Sequence, residues 1–257
     1  MGAAMSLRIT WLGHATTVID LDGVRLVTDP LIHQHAGMLR RRGVGPRSDS
    51  WLAPDAVLLS HLHYDHAEPR SLRRMGPVPV LTAPANAHWA RKHALQGMGL
   101  GPSQWFRVGG RVDVRLAPAV HGHRPMPHRP NAATGHLVRG EGGTVWFAGD
   151  TELYPGMSEL PELAGTRIDV ALVPVHGWGP RLSGGHLGPV EAARACALVG
   201  ARFAVPIHWG TLHAPAGRHL PPGWMDEAGP AFAAALRREA PDCEPVVLAP
   251  GGSWDAG

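Results

Sequence analysis

The sequence predicts one α/β domain over residues 1–257, with two β-sheets and helices on their outer faces. Three observations carry this expectation. Short apolar runs recur along the chain and end in Gly, Pro, Asp or His, as brief buried strands do. Helical patterns alternate with these runs in both halves. No linker-like or low-complexity segment divides the 257 residues, and a chain of that length can bury about three quarters of its unfolded surface.

The elements follow in order. Residues 8–12, 16–21 and 24–28 read as three strands, with Asp22-Gly23 as a tight hairpin turn between the last two. Residues 34–50 are rich in Gly and Arg and lack periodicity, so they read as an irregular loop of the length often found in lids. Ala56-Val57-Leu58-Leu59 is a short buried strand. A helix over 68–74 and a strand over 80–82 come next. Residues 85–96 read as a helix ended by Gly97 and Gly99. Strands are expected over 112–119, 137–139, 144–148 and 170–175. Pro189 opens a helix to about residue 199, because proline is already shaped for the first helical position. A strand over 203–207, a helix over 226–239 and a last strand over 245–248 finish the pattern.

Composition narrows the class. Hydrophobic content of 44% and charged content of 18% suit an ordinary soluble enzyme. No apolar run approaches the roughly 20 residues of a membrane-spanning helix. Residues 1–7 are uncharged and lead straight into strand-like sequence, so no signal peptide is expected. Their loose myristoylation pattern is set aside. Cys196 and Cys243 are too few for a disulfide framework and read as buried or incidental thiols. A cytoplasmic protein is the expectation.

Of the 24 basic residues only Lys92 is lysine, and Ala, Gly and Pro are abundant. This is a codon bias rather than a nucleic-acid footprint. No basic stripe is interleaved with aromatics, so no nucleic-acid partner is expected. Arg40-Arg41-Arg42 with Arg47 is the one dense basic cluster, read either as a solvated loop or as an anion-attracting rim.

His61-Leu62-His63-Tyr64-Asp65-His66 carries the chemistry. Four potential metal ligands fall within six residues, directly after the strand at 56–59. At an extended strand end, residues i and i+2 point to one side, so His61 and His63 can grip one ion. Asp65 and His66 follow a turn and can face a second. Imidazole with carboxylate suits zinc, and also manganese or iron. Three more ligand types stand at predicted strand ends: His121 after 112–120, Asp150 after 144–148, and His208 after 203–207. His123 could replace His121, but adjacency to the strand end favours His121.

The whole set resembles the metallo-β-lactamase fold superfamily: Asp29 after an early strand, His61-x-His63-x-Asp65-His66, then His121, Asp150 and His208. Trp11-Leu12-Gly13-His14-Ala15-Thr16, Thr28-Asp29-Pro30, Phe147-Ala148-Gly149-Asp150-Thr151, the run from His186 to Ala192 and Ile207-His208-Trp209-Gly210-Thr211 are similar to the branch holding N-acyl-phosphatidylethanolamine phospholipase D and L-ascorbate-6-phosphate lactonase. The resemblance implies an αββα sandwich with two divalent metal ions, zinc foremost and Mn2+ or Fe2+ as alternatives. It implies His61, His63 and His121 on one ion, Asp65, His66 and His208 on the other, and Asp150 bridging. It further implies that Asp29 orients a ligand histidine through the free ring nitrogen. No ligand position holds cysteine, unlike the commonest zinc β-lactamases. His63 stands where a diiron branch carries glutamate, which argues against oxygen-reducing chemistry.

The function expected is a metal-dependent hydrolase. Two nearby dications can share a hydroxide that is nucleophilic at neutral pH, for attack on a phosphodiester, lactone or other ester. Asp65, metal-bound water or His186 could transfer the leaving-group proton. Arg181 and the Arg40–Arg47 stretch suggest a small anionic substrate, with His176 and Arg181 as contacts. His14 is a weaker candidate of the same kind. The alternatives are a non-catalytic metal-binding sensor or scaffold, and, below it, a nuclease with steep salt dependence. Integral membrane association is not expected, and nothing in the pattern sets an oligomeric state.

Overall fold

The computed structural model describes residues 6–122, 129–130 and 132–256. Two seven-stranded sheets face each other. The first runs in the order Ser253–Ala256, Leu7–Gly13, Thr16–Leu21, Val24–Thr28, Ala56–Leu58, Pro79–Thr82, Gln96–Gly99. The second runs Glu244–Pro245, Phe203–Ile207, Val170–Pro174, Gly143–Phe147, Gly135–Gly140, Val112–Ala117, Phe106–Val108. Each sheet joins antiparallel hairpins to parallel strands. The chain therefore has the αββα sandwich that its motifs imply.

Strand composition explains the layers. In Val170–Pro174 every residue is buried, so the strand reads as one apolar run. Its side chains nonetheless divide. Val170 and Leu172 join the core between the sheets, with Leu7, Ile9 and Phe147. Ala171 and Val173 face outward, into a second core with Ala192, Cys196, Phe232 and Leu236 from helices Pro189–Val199 and Trp224–Glu239. The first sheet is covered in the same way. Leu12, Val18, Val27 and Val57 meet Leu72 of helix Pro69–Arg74 and Trp89 and Ala90 of helix Pro84–Lys92. His136 links the sheets: it lies in Gly135–Gly140, fully buried, with Nε2 3.1 Å from the Leu81 carbonyl of the opposite sheet.

Local signals set several boundaries. Glu68 caps helix Pro69–Arg74 by accepting from the amides of Arg70 at 3.0 Å and Ser71 at 2.6 Å. Asp22 and Gly23 both have positive φ, 51° and 80°, as the tight hairpin turn requires. Cys196 and Cys243 are buried free thiols.

Four expectations are corrected. Helix Pro84–Lys92 stops earlier than residue 96, and Gln96–Gly99 is an edge strand. Gly97 permits close packing rather than ending a helix, since a Cβ there would collide with the Ala87 carbonyl and the Ala90 side chain. The run 245–248 pairs only through Glu244–Pro245; the last strand is Ser253–Ala256, against Leu7–Gly13. Phe106–Val108 is a further edge strand, paired with Val112–Ala117. Finally, residues 34–50 are not irregular throughout. His35–Ala36 and Leu39–Arg41 form a hairpin that pairs with Leu212–His213 in a small third sheet. Arg41 anchors it from inside, donating from its guanidinium to the Leu12 carbonyl at 3.0 Å and to the Leu31 carbonyl. Among the described residues, no helix is long and apolar enough to cross a membrane.

Candidate metal centre

Strand ends bring the expected ligand types together. His61 to His66 follow Ala56–Leu58, Asp150 follows Gly143–Phe147, and His208 follows Phe203–Ile207. His121 lies beyond Val112–Ala117. Two groups result. His61, His63, His121 and Asp150 place ligand atoms within 4.8 Å of one another, and so do His14, Asp65, His66 and His208. Asp150 joins them: its Oδ2 is 3.7 Å from His61 Nε2 and 3.1 Å from His66 Nε2, and its Oδ1 is 3.3 Å from His208 Nε2. The backbone is bent to allow this. Asp29, His14 and His208 hold positive φ of 32°, 53° and 64°. Gly149 must be glycine, since at φ 62° its Cβ would sit 2.8 Å from Ser60 Cβ and 2.9 Å from the Thr134 carbonyl.

The outer nitrogens fix the histidine tautomers. His66 Nδ1 lies 2.7 Å from Asp29 Oδ2, His121 Nδ1 2.7 Å from the Gly185 carbonyl and His208 Nδ1 2.9 Å from the His176 carbonyl. Each partner is an acceptor, so each Nδ1 carries hydrogen. Ser60 Oγ donates to Asp29 Oδ2 at 2.5 Å and so accepts from His61 Nδ1 at 2.9 Å. In the neutral rings, Nε2 of His61, His66, His121 and His208 is therefore a lone pair. These nitrogens converge. His66 Nε2 lies 3.1 Å from His208 Nε2, and His61 Nε2 and His121 Nε2 lie 2.9 Å and 3.1 Å from His63 Nδ1. Asp150 Oδ1 is buried without a hydrogen bond. Acceptors turned toward acceptors in a buried space call for a cation between them.

The electrostatics agree. Burial pulls His61 well below the ordinary imidazole value and His63 down to about 4, and it also lowers His121, so these rings stay neutral donors of lone pairs. Burial opposes charge on His66 too, but Asp150, Asp65 and Asp29 outweigh it and hold the ring well above its usual value, so a proton on Nε2 competes with a cation for the place between His66, His208 and Asp150. Burial would raise Asp150, yet His208 and His66 keep it well below the carboxylate range; Asp65 is held low in the same way, chiefly by His66. The centre favours positive charge.

A family model described as the β-lactamase superfamily domain matches residues 24–209. The chain belongs to the β-lactamase superfamily. Within it the chain is similar to a UPF0173 metal-dependent hydrolase of Methanopyrus kandleri, 29% identical over 262 residues that cover 97% of this chain and 100% of that one. It is also similar to N-acyl-phosphatidylethanolamine-hydrolyzing phospholipase D 1 of Caenorhabditis elegans, 30% identical over 226 residues and 79% of this chain; the matched region is 63% of the worm protein's length. The structure of Igni18, a metallo hydrolase from Ignicoccus hospitalis, shares the fold at a TM-score of 0.75 and 21% identity, covering 98% of this chain and 99% of that one. This superfamily member is a metal-dependent hydrolase with His/Asp clusters able to bind metal.

The remaining candidates of this β-lactamase superfamily chain separate. His186 Nε2 lies 3.2 Å from Asp150 Oδ2, and its Nδ1 lies 3.1 Å from both Oγ and the carbonyl of Ser183. Burial alone would lower His186, but Asp150 raises it above its ordinary value. His176 supports His208 with its carbonyl, while its ring packs 5.9 Å from Trp224. Arg181 is exposed and does not line the cleft. Three arginines of the cluster are engaged elsewhere, while Arg40 is exposed: Arg41 is buried on carbonyls, Arg42 pairs with Asp226 at 2.6 Å and Arg47 with Asp49 at 2.9 Å. His123 lies outside the described residues. His14 is the residue that sequence reasoning underrated, for it stands inside the second group.

Proposed function

We propose that this chain is a hydrolase domain over residues 1–257 that works with two divalent cations. His61, His63 and His121 hold one, Asp65, His66 and His208 hold the other, and Asp150 lies between them. Zinc fits this nitrogen-rich set best, with Mn2+ or Fe2+ as alternatives. One observation carries the reading: partners on the outer nitrogens turn Nε2 of His61, His66, His121 and His208 inward, around the Asp150 carboxylate, where only a cation or a proton can sit between them. Bound there, the cations supply a nucleophile at neutral pH and positive charge for a developing oxyanion.

The protein's own groups do the rest. His186 projects into the cleft beside Asp150 and is the proton donor to the leaving group. Asp65 is less suited to that task, because its Oδ2 already meets His14 at 2.9 Å. A cavity of about 420 Å³ opens over the cluster. Among the described residues, Ala36, Met38, Leu39, Tyr64 and Trp178 line it beside the histidines, with no arginine or lysine. The described lining thus adds nothing to the arginine-based case for an anionic substrate. The lining favours a small phosphodiester, lactone or other ester with an apolar arm, its polar centre met by the cations. The relative whose name gives a phospholipase D activity supports the ester class. The free thiols fit a reducing compartment, and the cytoplasm is our reading.

Purified protein loaded with zinc or manganese, assayed on bis-p-nitrophenyl phosphate and a lactone panel, tests this. Turnover of at least one class is expected. A protein that holds two cations yet hydrolyses nothing would instead be a metal-binding sensor or scaffold.

A further inference from the structure

We infer that His14 is a positioning residue for the Asp65–His66–His208 half of the centre, acting on two of its ligands at once. The inference rests on the two-cation reading. The side chain of His14 reaches Asp65, with Nε2 2.9 Å from Oδ2. Its main chain reaches His208, whose amide donates to the His14 carbonyl at 2.8 Å. Its ring also packs on the His208 ring, with centroids 4.0 Å apart and planes at 37°.

The direction of the side-chain bond decides the role. Asp65 Oδ2 lies 3.7 Å from both His66 Nε2 and His208 Nε2, so it is the oxygen turned into the group. An ionised carboxylate only accepts, so His14 Nε2 must carry the hydrogen. The lone pair of His14 then sits on Nδ1, which is buried without a partner. The nitrogen nearest the group is therefore a donor to a ligand and not a ligand itself. It holds the Asp65 carboxylate in one orientation at the inner end of a loop.

His14 can do this because it is itself held. Its amide donates to Thr211 Oγ1 at 2.7 Å, and its carbonyl also accepts from Trp11 Nε1 at 2.9 Å. The residue is 1% exposed and sits at φ 53°, directly after Gly13 at φ 99°. It ties the first sheet's early strand to the His208 turn of the second sheet.

Two substitutions separate the possible roles. His14→Phe keeps a ring to pack on His208 and removes the donor. His14→Gln keeps a side-chain N–H. Cation content is measured by elemental analysis, affinity by competition with a chelator, and environment by the visible spectrum of Co2+-substituted protein. The expected result is two cations in the wild type, with one of them bound about 10- to 100-fold more weakly in His14→Phe, the range for loss of a group that orients a ligand. The Co2+ bands of that site alone should shift, and His14→Gln should recover most of the affinity. Unchanged affinity for both cations in His14→Phe overturns the inference. Failure of His14→Gln to recover overturns the donor role in favour of direct ligation. A wild type that binds only one cation overturns the two-cation reading, and with it the half-site form of this inference. If His14→Phe does not fold, Thr211→Val frees the His14 amide and should weaken the same cation by a smaller factor; no change there overturns the inference.

Discussion

His61, His66, Asp150 and His208 are at most 2% exposed, and the three histidines each have their outer nitrogen held by a partner fixed in the fold. Over the same cavity, Met38 and Tyr64 stand 83% and 51% exposed, on a hairpin tip and in the turn of the ligand loop. The first region cannot rearrange without breaking buried polar contacts, each costing about 1–3 kcal/mol. The second can change side chains with little cost to the fold. On the proposed function, bond-breaking chemistry belongs to the rigid region and substrate choice to the adaptable one.

That contrast can be broken most severely at its rigid end. Asp150→Ala removes the carboxylate shared by both groups. Turnover should fall by on the order of 10³-fold or more, the scale of several kcal/mol of lost charge stabilisation, and elemental analysis should show lost metal. Full metal content in that variant would end the assignment of Asp150.

His136 sharpens the comparison as a buried histidine that belongs to neither metal group. Burial lowers it to about 4. Its folded value is below its unfolded one, near 6.5, so the unfolded chain takes up the proton first. Its contribution to stability is present above about pH 6.5 and is lost as pH falls toward about 4, to a total of roughly 3 kcal/mol. His136→Leu should flatten that part of the acid-stability curve, measured by urea unfolding between pH 7 and 4. The Leu81 carbonyl would still accept from the Leu59 amide at 3.0 Å. An unchanged slope would show that this histidine is not the acid-sensitive group.

Asp29→Ala tests the rigid region from its outer side. It strips His66 Nδ1 of its acceptor and should weaken metal binding about 10- to 100-fold by chelator competition. The smallest effect is expected at the rim. Trp178→Ala should raise KM about tenfold for substrates with an apolar arm, leaving metal content unchanged. A loss of metal there would mean that the two regions are not separable.

The candidate ligand cluster was legible because its members stand at the ends of apolar strands, where period and chemistry point to the same place. His14 was harder to read, since its partners Asp65, His208 and Thr211 are distant in sequence. The fold was legible where strands are wholly apolar, as in Phe203–Ile207, whose bounds match the expected 203–207. It was not legible at the edges. Gln96–Gly99 and Ser253–Ala256 are held by pairing and close packing; the first carries no alternating apolar signal, and in the second the alternation lasts only four residues. The 34–50 stretch failed for the same reason, because its two short strands are set by pairing with each other and, through Leu39–Arg41, with Leu212–His213.

That small sheet has a practical meaning for redesign. The hairpin has a fixed base, where Arg41 is clamped to the Leu12 and Leu31 carbonyls, and a tip, Gly37 and Met38, over the cavity. Because the base pairs with the strand just beyond His208, replacing the entire 34–50 stretch would transmit strain to a ligand turn. Replacing Gly37 and Met38 alone would not. On the proposed function, the exchangeable cassette for new substrate preference is two residues long, and the paired strands around it are its frame.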